Sequence, residues 1–491
     1  MTEPAPTIVW FRQDLRVADN PALAAAAALG PVLPIYVLDD AAAGERAVGG
    51  ASRWWLHHSL DALSRRLAKL GAPLVLRRGG AAAVLERLAA ETGARGVFWN
   101  RVYEPAAAAV ERDLAQRLMR AGREARAFSA SLLFEPEDIV TKDGRPYQIF
   151  TPFWRACLAA PEPARPSPAP RKLAAPRAVP TGDRLDDWGL LPTKPDWAGG
   201  LREAWLGGGM GPGEAGAARR LAAFLDDALA RYGGDRDRPD RDGTSRLSSH
   251  LHFGELSPHQ LWHAARAAEA ARDDAGLPGG AEAYLRQLGW REFSAHLLHH
   301  VPSLPDAPLR ANFARFPWRR DKKALRAWQR GLTGYPLVDA GMRELWATGW
   351  MHNRVRMVVA SFLVKHLLLP WQDGERWFWD TLVDADLANN AASWQWVAGS
   401  GADATPYFRI FNPTLQGEKF DPDGAYVRRW VPELARLPDR FIHRPAEAPE
   451  SVLSDAGVAL GKSYPRPIVE HAAARSRALA AFAAIKGSAQ A

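Results

Sequence analysis

The sequence predicts an N-terminal doubly wound parallel α/β domain, a long linker and an all-α C-terminal domain. Three observations lead there. Residues 7 to about 135 alternate short β-rich apolar runs with helical patterns, as in a parallel sheet covered by helices. Residues 159–180 hold seven prolines, which reads as an extended connection. From residue 214 to 485 the apolar spacing is mostly helical, with no run of alternating strands. The expected boundaries are 1–135 for the α/β domain, 136–213 for the linker and 214–485 for the helical domain.

Taken in order, strands are expected at IVWF (8–11), VLPIYVLD (32–39), PLVLR (73–77), VFWN (97–100) and ARAFSASLL (125–133). Between the second and third, Leu56, Leu60, Leu63, Leu67 and Leu70 recur at alternating steps of four and three. That spacing predicts a helix over 52–70, with Ser52 as its N-cap and Gly71 as its stop. Ligands of such sheets usually sit beyond the carboxyl ends of the strands. The run GGGMGPG (207–213) has no strand before it and lacks GxGxxG spacing, so a flexible connection is expected rather than a phosphate cradle. Val355, Val358, Val359, Phe362 and Leu363 fall at helical spacing within 353–369. There are no convincing internal repeats.

The chain has 491 residues, enough for two or three domains and a large core. At 47% hydrophobic and 24% charged it has the make-up of a soluble globular protein. The start, MTEPAPTIVWFRQ, lacks a basic n-region and a long apolar run, so no signal peptide is expected. No stretch is long and apolar enough to predict a membrane span. Cys157 is the one cysteine; it allows no intrachain disulfide and fits a reducing cytoplasm. A net charge of +8 and a pI near 9.7 suit a polyanionic partner, although an Arg- and Ala-rich composition alone gives the same figures. Fifteen of the twenty tryptophans lie after residue 187. Tryptophan fills cores, but it also stacks on bases and flavins and carries electrons.

Four segments could carry chemistry. GTSRLS (243–248) places three hydroxyls, a glycine and an arginine where a helix begins; it suits a phosphate, and the same letters suit an ordinary N-cap. In YLRQLGWREFSAHLL (284–298), Gln287 lies one turn before Arg291, close to Trp290. An indole beside an amide and a guanidinium can stack a base and read its edge, while an amphipathic helix with an Arg–Glu pair is the plainer reading. In GWMHNRVRMVVASFL (349–363), Asn353 and Met357 share a helix face, unless Asn353 merely caps the helix. Arg356 enters an apolar stretch and, if buried, needs an acid, for which Asp384 is the candidate. In DADLANNAASWQW (384–396), Asn389 and Asn390 precede Trp394 and Trp396. Asparagine is a poor helix interior and needs partners when buried. Its amide both donates and accepts, so it can follow a ring nitrogen through a change of protonation. His296 and His300 are spaced i,i+4 like metal ligands, but no acid or cysteine completes a set, so no metal is expected. No Walker A motif and no GxSxG elbow occurs.

Together these segments resemble the DNA photolyase/cryptochrome family. The resemblance starts at VWFRQDLRVADNPAL (9–23) and continues through FTPFWRA (150–156), GTSRLSSHLHFGELSP (243–258) and GWREF (289–293). It goes on through TGYPLVDAGMRELWATGWMHNRVRM (333–357) and DADLANNAASWQW (384–396), and ends with PYFRIFNPTLQGEKFDP (406–422). It covers nearly the whole chain in order, which no single motif would. It implies an α/β domain, a connector and a helical domain holding FAD. The implied FAD contacts are Tyr232, Thr244, Ser245, Arg246, Leu247, Ser248, Asp384 and Asp386. Asn390 is implied to face flavin N5, with Arg356–Asp384 as an ion pair beside the ring. Trp394, Trp371 and Trp318 match the family's electron-carrying tryptophans, with Trp394 nearest the flavin.

The implied activity is light-driven repair of cyclobutane pyrimidine dimers in UV-damaged DNA, with the lesion flipped out of the duplex. Gln287, Trp290, Asn353 and Met357 would meet the lesion, and Arg236 and Arg354 the phosphates beside it. Asn353 and Met357 match the cyclobutane-dimer enzymes; the (6-4) enzymes carry histidines at both places. Gln287 departs from the glutamate of the best-known class, so it can hydrogen-bond a thymine edge but cannot hold a negative charge. The alternative is a cryptochrome-type blue-light photoreceptor, against which the short stretch after the last expected helix (467–486) counts. A second chromophore of folate or deazaflavin type is common in the family. YEPAAAA (103–109) lacks the polar Asn–Glu pair of one folate-binding class and does not choose between them. A cytoplasmic monomer without membrane contact is expected.

Overall fold

The computed structural model describes residues 4–271, 279–404 and 408–486. Residues 1–3, at the start of the expected first domain, lie outside the described residues, as do Pro406 and Tyr407, which open the last motif of the resemblance. The five apolar runs form β1 Thr7–Phe11, β2 Val32–Leu38, β3 Val75–Arg78, β4 Gly96–Asn100 and β5 Glu124–Phe128. They make one sheet in the order β3-β2-β1-β4-β5, and every pairing is parallel. Every residue of β1, β2 and β4 is buried. Strands covered on both faces read as continuous apolar runs rather than as alternation. The fifth run leaves the sheet earlier than expected, because the amides of Leu133 and Phe134 donate to the Glu292 carboxylate (2.8 and 3.2 Å) instead of to a strand.

The long helix between β2 and β3 spans Gly50–Leu70 and buries all five leucines of the predicted face. Gly71 closes it in the left-handed region, at φ 103°, where glycine carries no Cβ penalty. Ser52 is not the N-cap. The helix begins two residues earlier, after Gly49, which makes no side-chain cap bond, and Ser52 is buried in the first turn. Ala51, Trp54 and Trp55 are buried as well; they extend the apolar face upstream and carry the helix start with it.

Residues 161–180 contain no helix or strand, in keeping with their prolines, which lack the N–H that either would use. The stretch is nonetheless tied down. Val32 N donates to Ala174 O (2.7 Å), Leu173 N to Leu70 O (2.7 Å) and Ser167 N to Asp19 Oδ1 (3.0 Å). The glycine-rich run that follows forms turns, and Gly213 N donates to the buried Glu255 carboxylate (2.6 Å).

The chain packs as two compact units, neither of them contiguous. The first takes Met1–Ala230, Ser245–Pro302 and Val383–Asp386; the second takes Arg231–Thr244, Ser303–Leu382 and Leu387–Ala491. The first contains the sheet. The second has no strand among its described residues. Its centre includes the helices Pro336–Thr348, Asn353–Ser361, Trp371–Thr381 and Leu387–Ala398. Pro336 opens the first of these and Gly349 ends it in the left-handed region, the usual asymmetry of proline before and glycine after.

Candidate functional site

The GTSRLS turn, whose residues from Ser245 on belong to the first unit, leads into a helix over Ser248–His252. No side chain caps that helix, and its N-cap residue is Leu247, so the capping reading of these hydroxyls fails. Ser245 Oγ instead accepts from Tyr284 Oη (3.2 Å), on the helix Gly280–His300. Arg246 holds φ at 49°, a region that a non-glycine residue enters only when its surroundings impose it. Leu247 is buried, whereas Ser248 is exposed. Asp384 is buried and Asp386 partly so; His252 Nδ1 lies 3.8 Å from the Asp386 carboxylate.

The same unit builds a platform under Trp290. The Phe150 ring stacks on it at 3.8 Å and 7°, and Phe150 itself is buried. Such a pair adds about 0.5–1.5 kcal/mol beyond its buried area and fixes the indole plane. Gln287 stands one turn away on the same face, partly buried, its Nε2 donating to Ala283 O (3.3 Å). Gly289 is required by contact: a Cβ there would lie 2.5 Å from the Trp154 ring. The motifs FTPFWRA and GWREF are therefore two sides of one packed aromatic cluster. The expected Arg291–Glu292 pair forms (3.2 Å). Burial pushes the Glu292 carboxyl up to about 7, against the pull of Arg291 and two backbone amides. The His296 and His300 rings lie 4.5 Å apart. Their Nε2 atoms turn to backbone instead, Tyr147 N (3.1 Å) and Pro136 O (3.2 Å).

In the second unit, Asn390 is buried and its Nδ2 donates twice to Glu375, to the backbone oxygen (3.0 Å) and to the carboxylate (2.9 Å). A backbone oxygen only accepts, so the amide orientation follows from chemistry. Turning it over would set two acceptors face to face and strand a buried donor, at about 1–3 kcal/mol. The amide is thus committed as a donor on one side, and Oδ1 is the group left to face a ligand. Glu375 was not legible as a site residue: WQDGERWFWD reads as an amphipathic helix, and only the fold brings its fifth residue under Asn390.

Trp394 and Trp371 are buried, and Trp318 is half-buried. Trp394 meets Phe378 edge-on at 5.0 Å and Trp328 at 6.2 Å. Gly374 makes room for it, since a Cβ there would lie 2.1 Å from the indole. Trp318 packs on Phe316 at 4.3 Å, in an aromatic cluster that also takes in Phe408 and Phe482. Beside that cluster, Lys365 is buried, with Nζ donating to Ala398 O (2.7 Å) and lying 3.1 Å from the centre of the Phe408 ring. Burial holds this amine well below its usual range. Nothing in the apolar run around it signals such a group. Tyr232 is buried, which raises its phenol. Arg356 Nε donates to Met351 O (2.7 Å). Asn353 is exposed and Met357 half-buried. The helix cap is His352, whose side chain accepts from Arg354 N, so Asn353 is not the cap and its amide is not consumed in that role.

One further feature of the second unit was only partly foreseen. An open groove of about 490 Å³ is lined by Arg238, Arg354, Arg409 and Lys419, together with Asp237, Phe411 and Phe420. Arg354 lies over the Phe420 ring at 4.4 Å, and Arg236 stands next to the groove with Nε 3.9 Å from Asp237. Four cations and two aromatic rings along one groove suit a phosphate-bearing chain with stackable bases.

The groove of the second unit suits a protein that meets a polyanion, and similarity to known proteins defines its class. Residues 284–484 match the family model described as the FAD binding domain of DNA photolyase, and residues 7–171 match that described as DNA photolyase. The chain is 53% identical to the deoxyribodipyrimidine photo-lyase of Agrobacterium fabrum, over 98% of each chain. It is 42% identical to Cryptochrome-1 of Arabidopsis thaliana, over 96% of this chain and 69% of that one. Among solved structures, a bacterial class III photolyase from Agrobacterium tumefaciens superposes with a TM-score of 0.94 at 52% identity, over 99% of both chains. The chain belongs to the DNA photolyase/cryptochrome family.

Proposed function

We propose that the protein is a light-driven DNA repair enzyme that splits cyclobutane pyrimidine dimers and carries FAD, acting as a monomer in the cytoplasm. The observation that carries this reading is the 53% identity to a deoxyribodipyrimidine photo-lyase over 98% of both chains. The likeness to a class III photolyase supports placing it beside that class.

FAD would be held by Tyr232, Thr244, Ser245, Arg246, Leu247, Ser248, Asp384 and Asp386, with the Arg356–Asp384 pair beside the ring. The committed amide of Asn390 fits this group, because Oδ1 can accept from a reduced flavin N5–H. Bound in its reduced form, the cofactor would supply light-driven one-electron chemistry to the dimer with no net redox change. Trp394 and Trp371, both buried, and the half-buried Trp318 would provide easily oxidised rings for restoring the reduced cofactor. Trp290, fixed on Phe150, offers a flat face to the lesion, and Gln287 an amide to a thymine edge. Asn353 and Met357 would also meet the lesion. Arg236 and Arg354 would take phosphates flanking it. An antenna chromophore of folate or deazaflavin type would add light-harvesting to this chemistry.

The test is repair itself. Reduced protein is given dimer-containing DNA and blue light, and loss of dimers is measured against a known photolyase. Dimers that persist while the control clears them sink the assignment. The 42% identity to a plant cryptochrome supports a second reading, a blue-light photoreceptor, which expects flavin photoreduction without any repair in the same tube.

A further inference from the structure

The groove of the second unit contains an acid among its cations. Asp237 Oδ2 lies 2.7 Å from Arg354 Nη2, and its Oδ1 lies 3.9 Å from Arg236 Nε. Asp237 therefore stands on the two arginines that the proposed function assigns to DNA phosphates. The neighbouring pair is built differently. Arg238 grips Asp240 with two arms, at 2.8 and 2.6 Å, a bidentate geometry of the strong kind. Arg354 gives Asp237 one short contact, and its Nε is buried without an acceptor among the described residues. Asp237 is about one-third exposed, Asp240 about one-tenth. Arg238 is thus locked, whereas Arg354 is held by a displaceable partner while Phe420 keeps its guanidinium plane in place. Arg409 and Lys419 line the same groove and make no ion pair with an acid among the described residues.

We propose that Asp237 is an internal competitor for the phosphate site of Arg354: a DNA phosphate binds there only by displacing the carboxylate, which lowers affinity for DNA and softens its salt dependence. The inference rests on the DNA-repair reading and adds a residue to it. Arg409 and Lys419 offer charge to any strand at once. Arg354 becomes available only to a strand seated well enough to expel Asp237. A partly exposed ion pair with a single short contact is weak, equivalent to about two- to fivefold in an equilibrium, so the effect is a bias and not a block.

The test is binding of the full-length FAD-loaded protein to dimer-containing duplex in the dark, over a range of salt. Asp237→Asn should tighten binding about two- to fivefold near 0.1 M salt and steepen the log–log salt slope by about 0.9. Arg354→Ala should weaken binding. In the Arg354→Ala background, Asp237→Asn should give little or no gain. An equal gain in that background would overturn the proposal, because the acid would then act as a diffuse charge. No gain in the wild-type background would overturn it as well. Flavin absorbance and melting temperature establish that each variant is folded. If wild-type protein binds and repairs dimer DNA while the variants behave alike, only this inference fails; if wild-type protein binds no DNA, the function reading fails with it.

Discussion

At the scale of single residues, the proposed electron route gives the sharpest expectation. Trp394 is buried against Phe378 and Trp328, so replacing it by phenylalanine keeps an apolar ring of smaller size and removes the oxidisable indole. Trp394→Phe should keep its FAD and lose most of its flavin photoreduction under blue light. Unchanged photoreduction would take that residue off the route. Glu292 gives a different kind of prediction. Its carboxyl is pushed from 4.5 to about 7 in the folded state, mainly by burial. A folded pKa above the unfolded one means that the folded state holds the proton more tightly. The stability from this group is then fully present below about 4.5 and lost as pH rises through about 7. Asp421, raised to about 6 by burial, adds a slope of the same sign. Comparison with Glu292→Gln isolates the first: the variant should lose less melting temperature between pH 4.5 and 8 than the wild type. Parallel curves would show that Glu292 does not titrate in that window.

At the scale of elements, contacts explain residues that periodicity cannot. Within Trp371–Thr381, Gly374 is a poor helix former, yet the helix lies so close to Trp394 that no Cβ fits. Gly374→Ala should therefore destabilise the protein by about 1–3 kcal/mol through overpacking, despite its better helix propensity. It should also slow photoreduction by moving the indole; a raised melting temperature would contradict the packing. The helix over 52–70 teaches the same lesson. Its leucine face was legible from spacing, while its start was set by the burial of Ala51, Trp54 and Trp55, which a local cap rule does not see. His352 took the cap that the sequence offered to Asn353 because its ring nitrogen reaches Arg354 N. Both corrections concern helix ends, where side chains compete for the same few unpaired amides.

For the whole molecule, charge is the property that scales up. A net charge of +8 said only that a polyanion was welcome; the groove gathers four cations, of which Arg409 and Lys419 make no ion pair with an acid among the described residues. Arg409→Ala and Lys419→Ala should each weaken binding to damaged and undamaged DNA alike. Each should also reduce the salt slope by about 0.9, as for a lost phosphate contact. A loss confined to damaged DNA would move that residue from the phosphates to the lesion.

The sequence alone determined the fold class, because strand and helix periods are local and five apolar runs separated by helical patterns admit few arrangements. It also carried the family, because many motifs in order are far more specific than any one. The tertiary structure decided the rest. The pairing of Asn390 with Glu375, of Phe150 with Trp290 and of Asp237 with Arg354 each joins residues 15, 140 and 117 positions apart. Such pairs depend on how buried surfaces and unpaired charges are shared among distant segments, and no local spacing in the chain records that choice.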